Sequence, residues 1–405
     1  MKFNIWKDCP KVPITELLSF IVDNRGKTVP TADDGWKLIA TNCVTNNTLF
    51  PVYEKVRYLT QETYETWFRA HPIPGDILFV NKGTPGRVCL VPDPVDFCIA
   101  QDMIALRADD EKIYNKYLFA VLRSREIQQQ IYNTNVGDVI PHFKKQFMDQ
   151  LLIPVPDRRI QEIIGNLYYE LSYKTELNKK INKNLLEQAL AIYKNWFCEY
   201  ALSDGILPES WKITTIDAIS SLVTRGIAPK YNDSSDQIVL NQKCIRDHTI
   251  DISLARRHLP KKINEKWISK GDLLINSTGT GTLGRVAQVW FEANNMTVDS
   301  HVTIVRPKDS ILQSYIGFWG LSHESEIEAQ HTGSTGQTEL PRDIVKAMEL
   351  PLPDKDTLSK FNELVIPMTS TVISNQEENA RLSQLRDALL PKLMSGELDV
   401  SDIDF

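Results

Sequence analysis

Two stretches of this 405-residue chain, GDILFVNKGTPGRVCLV (Gly75–Val91) and GDLLINSTGTGTLGRVAQV (Gly271–Val289), are versions of one sequence. Other pairs follow in the same order: Arg25-Gly26 returns as Arg225-Gly226, and IPVPDRRIQEIIGNL (153–167) returns as LPLPDKDTLSKFNEL (350–364). Because the order is kept, the chain reads as a tandem duplication of one structural unit. Two similar halves suit a target that itself has two parts.

The composition predicts a globular protein of two domains, each of about 150 residues. Hydrophobic residues make up 42% of the chain and charged residues 24%. No apolar run approaches the roughly 18 residues of a membrane-spanning helix, and the N-terminus has no signal-peptide pattern, so we expect a cytoplasmic location and no membrane. The six cysteines form no CxxC pair, which favours reduced thiols over a metal site or a disulfide framework. The net charge of −6 does not by itself indicate a nucleic-acid partner.

Each half opens with short β-branched runs broken by Pro and Gly and closes with a helical pattern. A Pro-x-Pro-Asp motif separates the two parts, at 154–157 and again at 351–354. Proline disfavours helix in the preceding residue and Asp is a good N-cap, so the motif ends an extended segment and starts a helix. We therefore predict a mixed domain over 1–155, a helix over 156–201, a second mixed domain over 202–354, and a helix with a tail over 355–405.

A helix of about 40 residues is about 60 Å long, more than the core of one such domain needs. The simplest way to bury two apolar stripes is to pack the helices on each other as an antiparallel coiled coil. This predicts an α+β protein with pseudo-two-fold symmetry, in which a helical spacer carries a mixed domain at each end. The alternative is that each helix packs on its own domain.

The segment GTGTLG (279–284) matches the G-x-G-x-x-G dinucleotide pattern, but it precedes the strand-like run RVAQVWF instead of opening a helix. It is therefore interpreted as a β-turn-β loop. Its glycines and hydroxyls, with the arginine that ends it, could contact a phosphate backbone. The alternative is a solvated hairpin whose arginine pairs with a carboxylate. The candidate DNA-binding residues are Arg25, Lys27, Lys82, Thr84, Arg87, Arg225, Lys230, Arg256, Arg257, Thr278, Thr280 and Arg285.

Catalytic motifs are missing from the sequence. It contains no P-loop, no G-x-S-x-G elbow, no H-E-x-x-H and no Asn/Asp-Pro-Pro-aromatic methyltransferase motif. We therefore expect a recognition component with no catalytic residue, no metal and no cofactor of its own.

Several ordered segments resemble the specificity subunit of type I restriction-modification systems. They are RGKTVP and GWKLIA in the first half, LPESWKITTI and VLNQKCIRD in the second, the doubled GDIL/GDLL hairpin, the IPVPD/LPLPD boundaries, YKNWF, and the terminal LLPKLMSGELD. No one of these motifs is diagnostic alone, but the ordered set on a duplicated frame is specific. The resemblance covers essentially the whole chain.

The resemblance implies that each mixed domain is a target recognition domain reading one part of a bipartite site in double-stranded DNA. The helices would fix the gap between the half-sites and dock two modification (methyltransferase) subunits, which bind S-adenosylmethionine. Restriction (motor-nuclease) subunits would add translocation and cleavage. Two alternatives are the fused recognition region of a stand-alone DNA methyltransferase and a tandem-domain scaffold that does not bind DNA.

Overall fold

Two compact units make up the protein. The computed structural model describes residues 4–26, 28–134, 140–259, 263–279, 281–333 and 338–398. One unit comprises the described residues of 1–179 and 377–405, and the other those of 180–376. Each unit therefore contains part of both long helices, because the first long helix crosses residue 180 and the second crosses residue 377.

The first half of the chain holds nine strands and five α-helices in the described residues. The strands are β1 Lys11–Pro13, β2 Leu18–Val22, β3 Trp36–Ile39, β4 Arg57–Leu59, β5 Ile77–Val80, β6 Val88–Leu90, β7 Phe97–Ile99, β8 Met103–Ala108 and β9 Leu152–Pro154. The helices are α1 Ile5–Asp8, α2 Gln61–Thr66, α3 Asn115–Leu122, α4 Arg125–Asn133 and α5 Arg158–Tyr193.

The second half continues with eleven strands and five α-helices in its described residues. The strands are β10 Lys212–Thr215, β11 Ser220–Arg225, β12 Ile238–Leu240, β13 Ile245–Arg246, β14 Thr249–Ile250, β15 Arg256–Arg257, β16 Leu273–Asn276, β17 Val286–Gln288, β18 Met296–Val298, β19 Val302–Pro307 and β20 Glu349–Leu352. The helices are α6 Ile216–Ile219, α7 Gln313–Ser322, α8 Glu324–Ala329, α9 Arg342–Ala347 and α10 Lys355–Met394.

The sheets confirm the duplication. The first unit has an antiparallel four-stranded sheet of order β2-β8-β5-β6, and the second has one of order β11-β19-β16-β17. A three-stranded sheet of order β4-β3-β7 likewise corresponds to β15-β12-β18, each with one antiparallel and one parallel pairing. In each half the strand that precedes the long helix pairs with an early strand, β9 with β1 and β20 with β10.

A buried aspartate–arginine pair anchors each four-stranded sheet. Asp76 precedes β5 and accepts two hydrogen bonds from Arg107 on β8, both 2.9 Å long. Asp272 precedes β16 and accepts two from Arg306 on β19, at 2.8 and 2.7 Å. Both carboxylate side chains are only 1% exposed, and hydrogen bonding to them raises the pKa of both arginines. The Asp of the repeated Gly-Asp dipeptide therefore fixes the start of a strand to the strand beside it.

The long helices begin where the Pro-x-Pro-Asp motif predicts. The Asp157 carboxylate accepts a hydrogen bond from the Ile160 amide at 3.1 Å, and Asp354 accepts one from Thr357 at 2.9 Å, as N-caps do. Gly165 lies in the first turns of α5, where an added Cβ would be 2.6 Å from the Tyr117 amide nitrogen of α3. The absence of a side chain lets the two helices approach closely.

In the first unit, α5 pairs antiparallel with the C-terminal part of α10. Ile163, Ile164 and Tyr168 share one apolar core with Leu390 and Met394. Further along α5, Lys174 approaches Glu378 at 3.5 Å. The buried Asn178 amide donates to Glu378 at 2.6 Å and to Asn379 at 2.9 Å. An amide therefore replaces an apolar side chain in this part of the seam between the helices.

The second unit has the complementary pairing. Ala189, Tyr193 and Phe197 pack in one core with Leu358 and Phe361 of α10. Nearer the start of this segment, Asn375 donates to the Asn182 amide oxygen at 2.8 Å, and Asn182 donates to the Val372 carbonyl at 3.3 Å. Residues later in α5 contact residues earlier in α10, so the two segments are antiparallel here too.

The two arrangements considered for the helices occur together. The helix segments pack on each other as predicted, and the same residues also enter the core of a mixed domain. Ile164 shares its core with Phe119 and Leu106 of the first half, and Phe361 shares its core with Phe318 and Leu273 of the second. The helix through Pro367 is continuous from Lys355 to Met394.

The cysteines are all free thiols; four are buried, Cys9 is half-buried and Cys198 is exposed. None of the described helices has the length and apolar character that crossing a membrane requires.

We expect Asp76→Asn and Asp272→Asn each to lower the free energy of unfolding by about 2–4 kcal/mol, because an amide cannot accept both guanidinium hydrogen bonds at a buried site. Urea unfolding followed by circular dichroism measures the change. Asp236→Asn is the control, since that carboxylate is 95% exposed and lies 3.7 Å from Arg257. Equal midpoints for all three variants would contradict the anchoring role.

Candidate nucleic-acid interface

Both glycine-rich segments are hairpin loops, as predicted. β5 and β6 pair antiparallel across residues 81–87, and β16 and β17 do so across the GTGTLG segment, which opens no helix. Gly83 and Gly281 have φ of +84° and +73°, and a Cβ at either would meet nothing within 4 Å. The left-handed backbone requires glycine there, and the loops are open around both residues.

In the first unit, the ends of β2 and β5 and the start of β8 surround a cleft of about 540 Å³. Its charged lining includes Asp23, Arg25, Lys82, Asp102 and His142. Arg25 donates two hydrogen bonds of 2.8 Å to Asp23, and Lys82 lies 3.9 Å from Asp102. The cleft therefore joins two of the predicted DNA-binding residues, Arg25 and Lys82, and holds each beside a carboxylate.

The electrostatics of this cleft favour an ionised Asp23 and a neutral histidine. Hydrogen bonding from Arg25 lowers the pKa of Asp23 to about 2, with Lys145 contributing from 3.4 Å. Burial lowers the pKa of His142, and the charges of Arg25 and Lys82 lower it further. Near pH 7 the imidazole therefore offers one donor and one acceptor nitrogen.

The second unit brings together side chains at the equivalent positions. Phe143 and Leu340 correspond, because their amides donate at 2.8 Å to Asn81 and Ser277, the residues that follow β5 and β16. The neighbouring residues form equivalent β-bridges: Lys82 pairs with His142, and Thr278 pairs with Glu339.

The chemistry at these equivalent positions differs between the units. Arg225 approaches Glu339 at 2.8 Å and also donates to the Leu340 carbonyl, so its charge is paired. Thr278 lies 2.7 Å from the His301 ring nitrogen. A threonine and a glutamate in the second unit thus occupy the places of a lysine and a histidine in the first. One scaffold therefore presents two different sets of donors and acceptors.

The remaining candidates lie on the hairpin loops and the small sheet. Arg87 is exposed and Arg285 half-buried at the ends of the two loops, while the Thr84 hydroxyl is buried. Lys230 is exposed; Arg256 lies over the Tyr231 ring at 3.4 Å, and Arg257 donates to the Ser235 carbonyl at 2.6 Å. Lys27 and Thr280 are outside the described residues.

Asp23, Asp102, His142, His301 and Glu339 were not predicted. Asp23 lies two residues from Arg25, and contacts between distant segments bring the other four to the candidate residues. The repeated hairpin placed Lys82 and Thr278 among the predicted residues, but the sequence contains no signal for their partners. Among the residues that the structure describes, no group of three or more His, Cys, Asp or Glu side chains could hold a metal ion.

Asp23→Asn is expected to destabilise the first unit at pH 6, because the neutral amide cannot form the ion pair with Arg25. The pair stabilises the fold fully above the pKa of an unfolded aspartate, about 3.9, and its contribution falls as the pH drops towards 2. The difference in melting temperature between the parent and the variant should therefore be smaller at pH 3 than at pH 6. Asp34→Asn, at an exposed position, is the control, and a constant difference for Asp23→Asn would contradict the assignment.

Known proteins resemble this chain in sequence and in fold. The model of the type I restriction modification DNA specificity domain matches residues 14–187. The type I restriction enzyme MjaIX specificity subunit of Methanocaldococcus jannaschii is 24% identical over 351 residues, covering 81% of this chain and 79% of that protein. The HindI specificity subunit of Haemophilus influenzae is 21% identical over 398 residues, covering 80% of this chain and 86% of the other.

A solved structure shows the same fold. The S subunit of a type I restriction-modification system from M. genitalium superposes with a TM-score of 0.59 at 16% identity, covering 97% of this chain and 98% of that chain. The matching domain model, the two relatives of similar length and the shared fold agree with one another. Residues 14–187 therefore match the type I restriction modification DNA specificity domain, and the chain as a whole is similar to specificity subunits of type I restriction-modification systems.

Proposed function

We propose that this chain reads a bipartite target in double-stranded DNA, with one half-site read by each mixed domain. The recognition domains are residues 1–155 and 202–354, and the segments 156–201 and 355–405 form the spacer and the tail. One observation carries the proposal: the two units share strand order and register but present different side chains where Lys82 and Thr278 lie. Equivalent scaffolds with unlike polar groups suit two unlike half-sites.

The chemistry of modification belongs to partner subunits in this proposal. The chain supplies sequence recognition, two methyltransferase subunits bind S-adenosylmethionine and methylate the DNA, and restriction subunits add cleavage. The absence of a methyltransferase motif in the sequence supports this division. A stand-alone methyltransferase would instead methylate DNA as the purified chain alone, and a scaffold would show no salt-dependent affinity for DNA.

The long helices are the proposed docking surface for the modification subunits. Tyr173 and Leu177 of α5 are 41% and 40% exposed, although they lie one turn apart on a helix whose other face is buried. Tyr173 also stacks on Tyr169 with ring centroids 5.7 Å apart, and Lys116 lies over the Tyr169 ring at 4.0 Å. An exposed aromatic and aliphatic stripe beside one cation is typical of a protein contact.

Genome-wide methylation mapping, in cells with and without the chain, tests the proposed function. The chain should add methylation at a motif of two short sequences separated by a fixed gap. A heptad inserted into both helices, between Leu177 and Leu185 and between Gln376 and Leu385, keeps their pairing and adds about 10 Å of helix. We expect a gap longer by about three base pairs with both half-sites unchanged. The proposal is wrong if the chain adds no bipartite motif.

Leu177→Asp should abolish co-purification with the modification subunits, because docking would bury an unpaired carboxylate. The chain should still fold, since Leu177 is already 40% exposed. Size-exclusion chromatography of the co-expressed proteins measures assembly. Lys183→Asp is the matched control, at a side chain that is 79% exposed. Intact complexes with Leu177→Asp would place the docking surface elsewhere.

A further inference from the structure

The two three-stranded sheets place an arginine at the same position. In the first, Leu38 of the central strand β3 pairs with Arg57 of β4 on one side and with Cys98 of β7 on the other. In the second, Val239 of β12 pairs with Arg256 of β15 and with Thr297 of β18. Arg57 and Arg256 are therefore equivalent, although their flanking sequences share no recognisable run.

Most of the surrounding positions have changed. Tyr58 corresponds to Arg257, Leu59 to His258, and Trp36 to Gln237, by the same strand register. The edge strands β4 and β15 thus keep the arginine. The two residues that follow it differ, and so does the residue paired with the second of them on the central strand. Arg57 and Arg256 are both exposed, so the packing of the buried core does not require an arginine at this position.

Neither arginine has a structural partner comparable to that of Arg107 or Arg306, which neutralise buried aspartates. Arg57 is exposed, and within the described part of the chain its side chain makes no hydrogen bond or ion pair. Arg256 is exposed and lies over the ring of Tyr231, which is itself 43% exposed. The donor groups of a guanidinium stacked on an aromatic ring stay available at its edge.

Both arginines lie on sheets whose strands lead into the candidate interface. β7 leads within three residues into the turn that holds Asp102, and β18 leads likewise to His301. Arg57 and Arg256 lie two strands, or about 10 Å, across the sheet from β7 and β18, the strands that lead into those turns. The small sheet of each unit and the polar residues of its candidate interface can therefore contact one stretch of duplex.

We propose that Arg57 and Arg256 are equivalent specificity-determining residues, each of which binds the O6 and N7 acceptors of a guanine in its own half-site. The inference rests on the proposed DNA recognition and deepens it. The fork geometry of arginine matches those two acceptors in the major groove, and the single ammonium group of a lysine lacks that planar fork. Because each unit carries one such arginine, loss of either should affect only one half-site.

The experiment uses the complex with its modification subunits and duplexes that carry the mapped motif. Each guanine is replaced in turn by 7-deazaguanine, which lacks the N7 acceptor, and affinity is measured by fluorescence anisotropy. The parent complex should lose on the order of tenfold to a hundredfold in affinity at the guanine that each arginine contacts. Arg57→Ala should be insensitive to the replacement at one guanine of one half-site, and Arg256→Ala at one of the other. Arg381→Ala, on the exposed face of α10, should keep the parent pattern.

Arg57→Lys and Arg256→Lys separate base contact from phosphate contact. If the arginines bind guanine, the lysine variants should behave like the alanine variants. The inference is overturned if lysine restores affinity and alanine weakens binding to every sequence alike, because that pattern indicates a phosphate contact. It is also overturned if the alanine variants keep the parent pattern. A parent complex that binds scrambled DNA as tightly as the motif would instead overturn the proposed function.

Discussion

A carboxylate buried at the start of a strand has to be neutralised, and both halves of this chain neutralise it with an arginine from the neighbouring strand. Asp76 and Asp272 are almost wholly buried, and each accepts a pair of hydrogen bonds from an arginine on the neighbouring strand. The forked pair fixes the register of β5 against β8 and of β16 against β19. The far ends of those same strands carry Lys82, Asp102, Thr278 and His301. The positions of these four residues therefore depend on an ion pair at the opposite end of their strands.

On this common frame the polar groups differ between the units. In the first unit Lys82 and a neutral His142 line the same cleft as Arg25, which donates hydrogen bonds to Asp23 in its own loop. In the second unit the corresponding arginine is paired with a glutamate from a distant segment, and a threonine replaces the lysine. The frame is fixed by buried interactions, while the side chains at its edge are free to change. This separation is what a duplicated recognition unit requires if its two copies are to read different sequences.

Local signals in the sequence predicted most of the fold. The Pro-x-Pro-Asp motif located both helix starts because proline geometry and N-capping act within a few residues, and the glycine-rich segments were recognised as hairpins because strand-like runs flank them. The partner of Asp76 was not predicted, since Arg107 is distant in the sequence and arginine has no distinctive spacing to a buried acid. The equivalence of Arg57 and Arg256 was missed for a related reason, because strand register reveals it and local sequence does not. Likewise, sequence periodicity distinguished the two ways of packing the helices poorly, because one apolar stripe serves both.

The amides in the helix seam have a consequence for alignment. Asn178 and Asn182 are buried, and both bond to α10: Asn178 to Glu378 and Asn379, and Asn182 to Asn375 and the Val372 carbonyl. If either segment slid by one turn, this set of hydrogen bonds would be broken. A purely aliphatic seam would bind more tightly but would tolerate several offsets of similar energy. The asparagine hydrogen bonds favour the observed offset and so help to fix the alignment of the two helices.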